Sequence, residues 1–323
     1  MNRVRILRVA LAIAAVCSLQ HRAVSQEGVV NSPLNSQQLA LKRWYAVNRA
    51  TRIAVGKNPT GIGYDGDNVW ICNFVDGTVT KIRKNDATVL GTFTVGNKPY
   101  NVAFDGANIW VTNQGDNDVM KLRASDGMLL GTFGVGSAPN GIAFDGGDIW
   151  VSNVLGNSVT KLRASDGKTL GTFTVGTEPV GLAFDGANIW VPNSMDNTVS
   201  KLRASDGKTL GTFPVGTTPT GVVFDGANVW VLNSGSNNVT ELRASDGTLV
   251  GTFAAGNGPG NAGAFDGQNI WIPDFNGTTV TKLRASDGKL LGTYTVGSEP
   301  LGIAFDGANI WVGLAALNIV AKL

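Results

Sequence analysis

The sequence predicts an all-β fold: a seven-bladed β-propeller with four antiparallel strands per blade, whose last blade is closed by an N-terminal strand. Three observations lead to this prediction. Tryptophan recurs at a spacing of 40 residues with one step of 41, each repeat contains four strand-like runs, and the N-terminal segment supplies the one run that the last repeat lacks. A fixed period of this size indicates a repeat array. The tryptophans are Trp70, Trp110, Trp150, Trp190, Trp230, Trp271 and Trp311.

One repeat, residues 179–216, shows the unit. Its four runs are rich in β-branched and aromatic residues and cover residues 181–184, 188–193, 198–203 and 210–215. An Asp-Gly pair joins the first run to the second and another joins the third to the fourth, and Asp-Gly supplies the positive φ that tight hairpins need. Helical periodicity is absent from the repeats. Four antiparallel strands at this period favour a propeller blade over a solenoid rung.

The two ends of the repeat region are complementary. The last repeat stops at Leu323, twelve residues after Trp311, and therefore lacks a fourth strand. Ile53, Val55 and Gly56 match the fourth-strand positions of the other repeats, so we expect this segment to complete the last blade. A closed ring leaves only short, protected edges. We expect the tryptophans to pack between blades, rather than to form a stacking platform for sugars or bases, because they lie mid-strand in every repeat.

The first 49 residues precede the repeats. Residues 1–25 have the layout of a secretory signal peptide, because three arginines precede a short apolar run and small residues precede a predicted cut after Ser25. A lipoprotein signal would use Cys17, but Val16 stands where such signals need a very small residue. Residues 26–49 are expected to form a loop and a short helix, either a cap on the propeller at 50–323 or an arm for a partner. We predict export to the periplasm, the cell surface or the medium, with no membrane span.

Cleavage would change the available chemistry. It removes four arginines, the only histidine (His21) and one of two cysteines, and leaves 22 basic and 24 acidic side chains. A net charge of about −2 gives no electrostatic footprint for nucleic acid or anionic membrane. Cys72 alone allows no internal disulfide. Without histidine, His-based catalysis and the common zinc and iron sites are excluded, so we predict no cofactor and no bound zinc, iron or copper, and we expect a monomer.

The second strand of each repeat carries a recurring motif. It reads Trp-Val-Thr-Asn at 110–113, Trp-Val-Ser-Asn at 150–153 and Trp-Val-Pro-Asn at 190–193. The motif resembles the YVTN family of bacterial β-propeller repeats, with Trp in place of Tyr, over residues 50–323. The resemblance implies the architecture and an exported or cell-surface protein, but no particular activity. The chain is also similar, more loosely, to the virginiamycin B lyase family, seven-bladed propellers that open a cyclic ester with a histidine base and magnesium. Here a carboxylate or lysine would have to replace that base.

The two faces of the predicted ring differ. The hairpins between the first and second strands and between the third and fourth strands emerge on one face, the hairpin face, and recur almost unchanged as Phe-Asp-Gly-Ala-Asn and Arg-Ala-Ser-Asp-Gly. The loops from second to third strand and from blade to blade emerge on the other, the loop face, and vary between blades. Variable loops on a rigid scaffold are where a specific site would be built. The candidate ligand-binding residues, all on the loop face, are Tyr100, Asn113, Asp116, Asn140, Glu178, Asp196, Asp274, Phe275 and Glu299.

Blade six departs most from the repeat. Asp274 replaces the usual asparagine, Phe275 follows it, and both are expected to project from the mouth of the ring. One extra residue between Pro259 and Phe265 predicts a bulge in the innermost strand. The recurring asparagines are expected to cap the second strands; they are Asn73, Asn113, Asn153, Asn193 and Asn233.

These patterns predict a non-catalytic binder of a protein, a glycan or another ligand. The alternative is a lyase or hydrolase that uses carboxylates instead of histidine. The Asp-Gly turns do not have the ligand spacing of calcium loops.

Overall fold

A computed structural model describes residues 51–323 of the chain. These residues form seven four-stranded antiparallel sheets and one 3₁₀ turn, Ala315–Leu317, and the predicted seven-bladed propeller is confirmed. Within the described part of the chain, no helix is long and apolar enough to cross a membrane. The predictions for the signal peptide and for residues 26–49 lie outside the described residues.

The strands follow one another blade by blade around the ring. Blade one contains β2 (Pro59–Tyr64), β3 (Asn68–Asn73), β4 (Thr78–Arg83) and β5 (Val89–Thr94). Blade two contains β6 (Pro99–Phe104), β7 (Asn108–Asn113), β8 (Asp118–Arg123) and β9 (Leu129–Gly134). Blade three contains β10 (Pro139–Phe144), β11 (Asp148–Asn153), β12 (Ser158–Arg163) and β13 (Thr169–Thr174). Blade four contains β14 (Ala183–Phe184), β15 (Asn188–Asn193), β16 (Thr198–Arg203) and β17 (Thr209–Pro214).

The remaining three blades have the same order of strands. Blade five contains β18 (Pro219–Phe224), β19 (Asn228–Asn233), β20 (Asn238–Arg243) and β21 (Leu249–Ala254). Blade six contains β22 (Ala264–Phe265), β23 (Asn269–Asp274), β24 (Thr279–Arg284) and β25 (Leu290–Thr295). Blade seven contains β26 (Pro300–Phe305), β27 (Ile310–Leu314), β28 (Ile319–Lys322) and β1 (Thr51–Ala54).

The N-terminal strand closes the ring as the sequence predicted. Strand β1 pairs antiparallel with β28, from Thr51 opposite Lys322 to Ala54 opposite Ile319. The backbone N–H of Val55 continues the pairing by donating to the carbonyl of Asn318 at 3.1 Å. Trp311 of blade seven packs against the buried residues of blade one, so the interface between the last and first blades is built like the others.

The innermost strands are irregular in every blade, not only in blade six. The pairing of the first strand shifts register after its proline in blades one, two, three, five and seven. In blades four and six only two residues pair as strand, after an isolated bridge at the proline. The backbone here turns towards the neighbouring blade: the N–H of Gly181 donates to the carbonyl of Thr220 at 3.1 Å. The predicted bulge is therefore a property of the repeat.

The core consists of one apolar layer between each pair of blades. Trp110 of blade two, for example, packs against Ile149, Val151 and Leu162 of blade three. Six of the seven repeat tryptophans are fully buried and Trp271 is 8% exposed, which confirms the packing role and leaves no stacking platform. At about 150–250 Å² each and about 25 cal/mol per Å², their burial contributes about 4–6 kcal/mol apiece as an upper bound.

The Asp-Gly turn between the first two strands does more than reverse the chain. In blade four, Oδ1 of Asp185 accepts hydrogen bonds from the N–H groups of Ala187 and Asn188 at 2.9 and 2.7 Å. Its Oδ2 accepts the indole N–H of Trp190 at 2.7 Å. The aspartate–tryptophan bond occurs in all seven blades at 2.7–2.8 Å. The turn therefore holds the tryptophan that forms the interface.

These hydrogen bonds also set the ionisation of the turn aspartates. The effect is resolved for Asp105, Asp266 and Asp306. Burial by itself would raise their pKa values, but the hydrogen bonds from the indole and the turn lower them below the usual range. Hydrogen bonds to the charged form of a carboxylate favour that form. In these three turns the hydrogen bonds therefore favour the ionised carboxylate.

We predict that Asp185→Ala destabilises the propeller by about 2–4 kcal/mol, because it leaves a buried indole N–H and two turn amides without their acceptor. Urea unfolding would measure the loss. The matched control is Asp206→Ala on the same face of the same blade, which removes an exposed ion pair with Arg203 and should change stability little. Equal effects of the two substitutions would contradict this account of the turn.

We also predict that deleting residues 315–323, or residues 44–56, abolishes cooperative unfolding, because the first deletion removes β28 and leaves β1 without its partner, and the second removes β1. Calorimetry should then show a broad, weak transition. Deleting residues 26–43, which leaves β1 in place, serves as the control. A chain without residues 315–323 that melts like the full one would show that closure does not hold the ring together.

Candidate functional site

The loop face surrounds one end of the central channel. In five blades the first strand begins there with a proline, and in blades four and six a proline forms an isolated bridge at the same place. The residue before this proline has a positive φ between 50° and 63° in all seven blades: Asn58, Lys98, Ala138, Glu178, Thr218, Gly258 and Glu299. This conformation is uncommon for residues other than glycine and is disfavoured before proline, so the loops must hold it. The N–H of Glu178, for instance, donates to Oδ1 of Asn157 at 3.0 Å. These seven residues surround the mouth, one from each blade, and we call them the mouth ring.

A polar cluster crosses the channel below the mouth ring. The hydroxyl of Tyr100 in blade two accepts a hydrogen bond from Nδ2 of Asn261 in blade six. Burial raises the pKa of Tyr100, and the amides of Asn140 and Asn261 beside its hydroxyl lower it in part. Asn140 is only 4% exposed, and its Oδ1 has no hydrogen-bond partner among the described residues. We call Tyr100, Asn140 and Asn261 the axial cluster.

Aromatic and charged groups border the axial cluster. The rings of Phe74 and Tyr100 meet edge to face with centroids 6.0 Å apart, and Nζ of Lys98 lies 6.0 Å from the centroid of Phe74. Glu178 and Glu299 add carboxylates to the mouth ring from blades four and seven. Glu299 is exposed, and Glu178 is half-buried with its Oε2 accepting the hydroxyl of Ser194 at 3.2 Å. The mouth therefore offers ring faces, amides and charges of both signs.

Two predicted site residues lie inside the blades instead. Asn113 is fully buried, accepts the N–H of Gly96 at 3.2 Å and donates to Asp118 at 2.7 Å. Asp274 is also fully buried and accepts the hydroxyl groups of Thr279 and Thr281. The expectation that Asp274 projects from the mouth is wrong, because an aspartate at this position replaces an asparagine that joins the second strand to the third.

The ionisation of Asp274 reflects this position. Burial raises its pKa, and hydrogen bonds from both threonines and from the N–H of Gly256 lower it in part. The matching asparagines behave as predicted: Asn73 accepts the N–H of Gly56 at 3.0 Å and donates to Thr78. The asparagine positions therefore stabilise strand ends.

Two further predicted residues hold the loops together. Oδ2 of Asp116 accepts the N–H of Asn97 at 2.6 Å, and Oδ2 of Asp196 accepts the N–H of Thr177 at 2.7 Å. The hydrogen bonds from the backbone N–H and the side-chain amide of Asn97 lower the pKa of Asp116. Both carboxylates are exposed, and each accepts a backbone N–H of the neighbouring loop.

The structure thus brings together some of the predicted residues and adds others. Tyr100 and Asn140 meet at the axis, Glu178 and Glu299 lie in the mouth ring, and Phe275 is half-buried on the loop face of blade six. Sequence reasoning missed Asn261 and Phe74. One signal was available for Asn261: the first strand reads Pro-Gly-Asn in blade six, where most other blades have glycine third.

A second feature that sequence reasoning missed lies on the hairpin face. A cavity of about 720 Å³ opens between blades five and six and is lined in part by Asp225, Asn228, Phe265 and Leu291. Beside Asp225 lies Glu241, which is 3% exposed and accepts Nδ2 of Asn228 at 2.7 Å. Burial, and to a lesser extent the charge of Asp225, raise the pKa of Glu241 to about 7. All six other blades have lysine at this position.

Other reactive groups are few in the described region. Residues 51–323 contain no group of three or more His, Cys, Asp or Glu side chains placed to hold a metal ion. Cys72 is fully buried, and burial raises the pKa of its thiol, so the reactive thiolate is disfavoured.

We predict that Glu241 makes the protein less stable as pH rises. Between about pH 4.5 and 7 the Glu241 carboxyl is ionised in the unfolded chain but still binds its proton in the folded one. The unfolded state therefore binds fewer protons, and the free energy of unfolding falls as pH rises through that window. Glu241→Gln has no titratable group at this position. The difference in free energy of unfolding between Glu241→Gln and wild type should therefore increase in favour of the variant as pH rises through the window, by at most about 3 kcal/mol. Urea unfolding at several pH values would measure it. Glu299→Gln, at an exposed position, is the control, and parallel pH profiles for wild type and Glu241→Gln would contradict the prediction.

Comparison with known proteins supports the fold. No family model and no curated protein matches the chain, so the likeness to YVTN repeats stays a prediction. Among solved structures, a streptogramin B lyase superposes with a TM-score of 0.71 at 20% identity, over 86% of this chain and 98% of that one. Virginiamycin B lyase from Staphylococcus aureus superposes with a TM-score of 0.74 at 19% identity, over 85% of this chain and 98% of that one. Hydrazine synthase from Kuenenia stuttgartiensis superposes with a TM-score of 0.75 at 18% identity, again over 85% of this chain and 98% of that one. At these identities the likeness shows a shared propeller fold.

Proposed function

We propose that this chain is an exported, non-catalytic binding protein that takes its ligand at the loop-face mouth of the central channel. The observation that carries the proposal is Oδ1 of Asn140, a buried acceptor without a partner in the described chain, beside the bond between Tyr100 and Asn261. A buried polar atom without a partner costs about 1–3 kcal/mol. A ligand that donates a hydrogen bond at this point would remove that cost, so the unpaired oxygen supports a site.

The groups around the axial cluster suggest the chemistry of the ligand. Ligand sites combine apolar and aromatic walls with a few fixed polar groups. Phe74 and Tyr100 supply ring faces, Asn140 and Asn261 supply amides, and the positive φ before each proline fixes the mouth ring on a rigid backbone. Ring faces next to amides suit a glycan or a peptide segment, because both present apolar surface next to hydroxyl or amide donors.

The alternative is a lyase or hydrolase, which the structural likeness to two lyases favours. The described residues contain no histidine, so the base would have to be a carboxylate or a lysine. Glu178 and Glu299 lie in the mouth ring and fit that role, whereas Asp274 is buried inside blade six. The enzyme hypothesis therefore depends on two glutamates.

The binding proposal predicts that Tyr100→Ala weakens ligand capture by tenfold or more, because truncating an aromatic anchor costs about 2 kcal/mol. Purified protein of residues 26–323 would be applied to glycan and peptide arrays, and the strongest ligand titrated against each variant. Tyr100→Phe keeps the ring, removes the bond to Asn261 and should have a smaller effect. A double variant on the hairpin face, Ser165→Ala with Lys168→Ala, is the control and should bind like wild type. Loss of binding in the control alone would contradict the assignment to the loop face.

The enzyme alternative is tested on the same proteins. Turnover of a cyclic ester, reduced in Glu178→Gln or Glu299→Gln but not in the hairpin-face control, would replace the binding proposal. If the ester is not turned over and a ligand binds saturably, the result supports the binding proposal.

A further inference from the structure

A lysine ammonium occupies the same place in six of the seven blades. It projects from the third strand over the face of the blade's own tryptophan, with Nζ 4.4–5.3 Å from the ring centroid. In blades one to four Nζ also donates to an alanine carbonyl of the next blade at 2.6–2.7 Å. The turn aspartate lies nearby, for example 4.0 Å from Lys121 in blade two. Indole face, carbonyl and carboxylate together form an ammonium cradle. The six lysines are Lys81, Lys121, Lys161, Lys201, Lys282 and Lys322.

Blade five keeps the cradle and replaces the lysine by Glu241. Trp230 is fully buried and bonded to Asp225 at 2.7 Å, as in the other blades. The carbonyls of Ala285 and Ser286 stand where Ala244 and Ser245 accept Lys201 at 2.6 and 3.0 Å one blade earlier. Within residues 51–323, neither Asp225 nor Glu241 forms an ion pair with a lysine or arginine. A place that holds one positive and one negative charge elsewhere holds two carboxyl groups here.

The glutamate side chain is too short to reach the ammonium position. Glutamate is one atom shorter than lysine, so its carboxylate oxygens correspond along the chain to Cε of lysine and stop short of Nζ. Oε1 of Glu241 is turned to Asn228 at 2.7 Å. The cavity of about 720 Å³ between blades five and six has Asp225, Ala285 and Ser286 in its wall, together with Lys282 and Arg284. The carboxylate and carbonyl side of the cradle therefore faces this cavity.

We propose that the blade-five cradle, built by Asp225, Trp230, Glu241, Ala285 and Ser286, is a binding site for a primary alkylammonium group. The six intact blades show the geometry with which this fold holds such a group. Carbonyl acceptors suit N–H donors, and an indole face attracts an organic cation. Calcium and magnesium prefer an all-oxygen shell, and the indole occupies one side of the cradle. The alkyl part of the ligand would lie in the cavity against Phe265 and Leu291. A free amine and the lysine of a peptide share this chemistry.

Calorimetric titration with n-butylammonium chloride tests the proposal on the protein of residues 26–323. We expect saturable binding to one site. Glu241→Lys restores the repeat lysine, should fold as the other blades do, and should abolish binding. Glu241→Gln keeps the shape, lowers the negative charge, and should weaken binding at least tenfold. Lys201→Glu reproduces the blade-five arrangement in blade four and should raise the stoichiometry to two.

Comparator ligands identify the chemistry and its source. Tetramethylammonium has no N–H donor and should bind at least tenfold more weakly than butylammonium. A tripeptide with a central lysine should compete with butylammonium if the source is a peptide, and the same tripeptide with acetylated lysine should not; competition by the free amine alone assigns the site to small amines. Tyr100→Ala should bind butylammonium normally, which keeps this test separate from that of the loop face. Binding that persists in Glu241→Lys, binding of calcium in place of the amine, or no saturable binding to wild type would overturn the proposal.

Discussion

Each blade depends on one hydrogen bond, from the indole N–H of its tryptophan to the carboxylate of the aspartate that turns the first strand into the second. The bond is 2.7–2.8 Å long in all seven blades, so the turn, the strand and the interface with the next blade are fixed by two side chains. The buried indole needs an acceptor, and the turn needs a carboxylate for its backbone amides. Because both needs meet in one residue, the Asp-Gly hairpin between the first and second strands recurs in every blade.

A nearly uniform scaffold makes its exceptions informative. At the axis, Tyr100 and Asn261 meet across the channel, and Asn140 is left with a buried acceptor that has no partner among the described residues. At the junction of blades five and six, Glu241 replaces a lysine that contacts the indole in every other blade. Neither exception helps the fold: one leaves an oxygen without a partner and the other places two carboxyl groups together, at a cost in free energy. Positions that lower stability are those where a function is expected.

The fold was predictable because it follows from period and turn chemistry. The tryptophan spacing, the Asp-Gly pairs and the missing fourth strand at Leu323 determine blade number, strand order and closure. The candidate site was predictable only in part. Variation between repeats pointed to the loop face, yet it did not reveal that Asp274 is buried or that Asp116 and Asp196 hold neighbouring loops, because orientation depends on partners far along the chain. The bond between Tyr100 and Asn261 joins residues 161 positions apart, and no local pattern reports such a contact.

The hairpin face shows why loop variability is an incomplete guide in a repeat protein. Its loops are the uniform ones, and comparison of loops alone assigns it no role. The departure there lies in the third strand of blade five, at a side chain that is 3% exposed. Packing would explain an apolar residue at such a position, but it does not explain a carboxylate in place of a cation beside Asp225. The pKa of Glu241 is raised because the fold buries its charge and leaves it without a partner. A buried charge is stable when it is paired, and the missing partner must therefore come from a proton or from a cation that enters through the cavity.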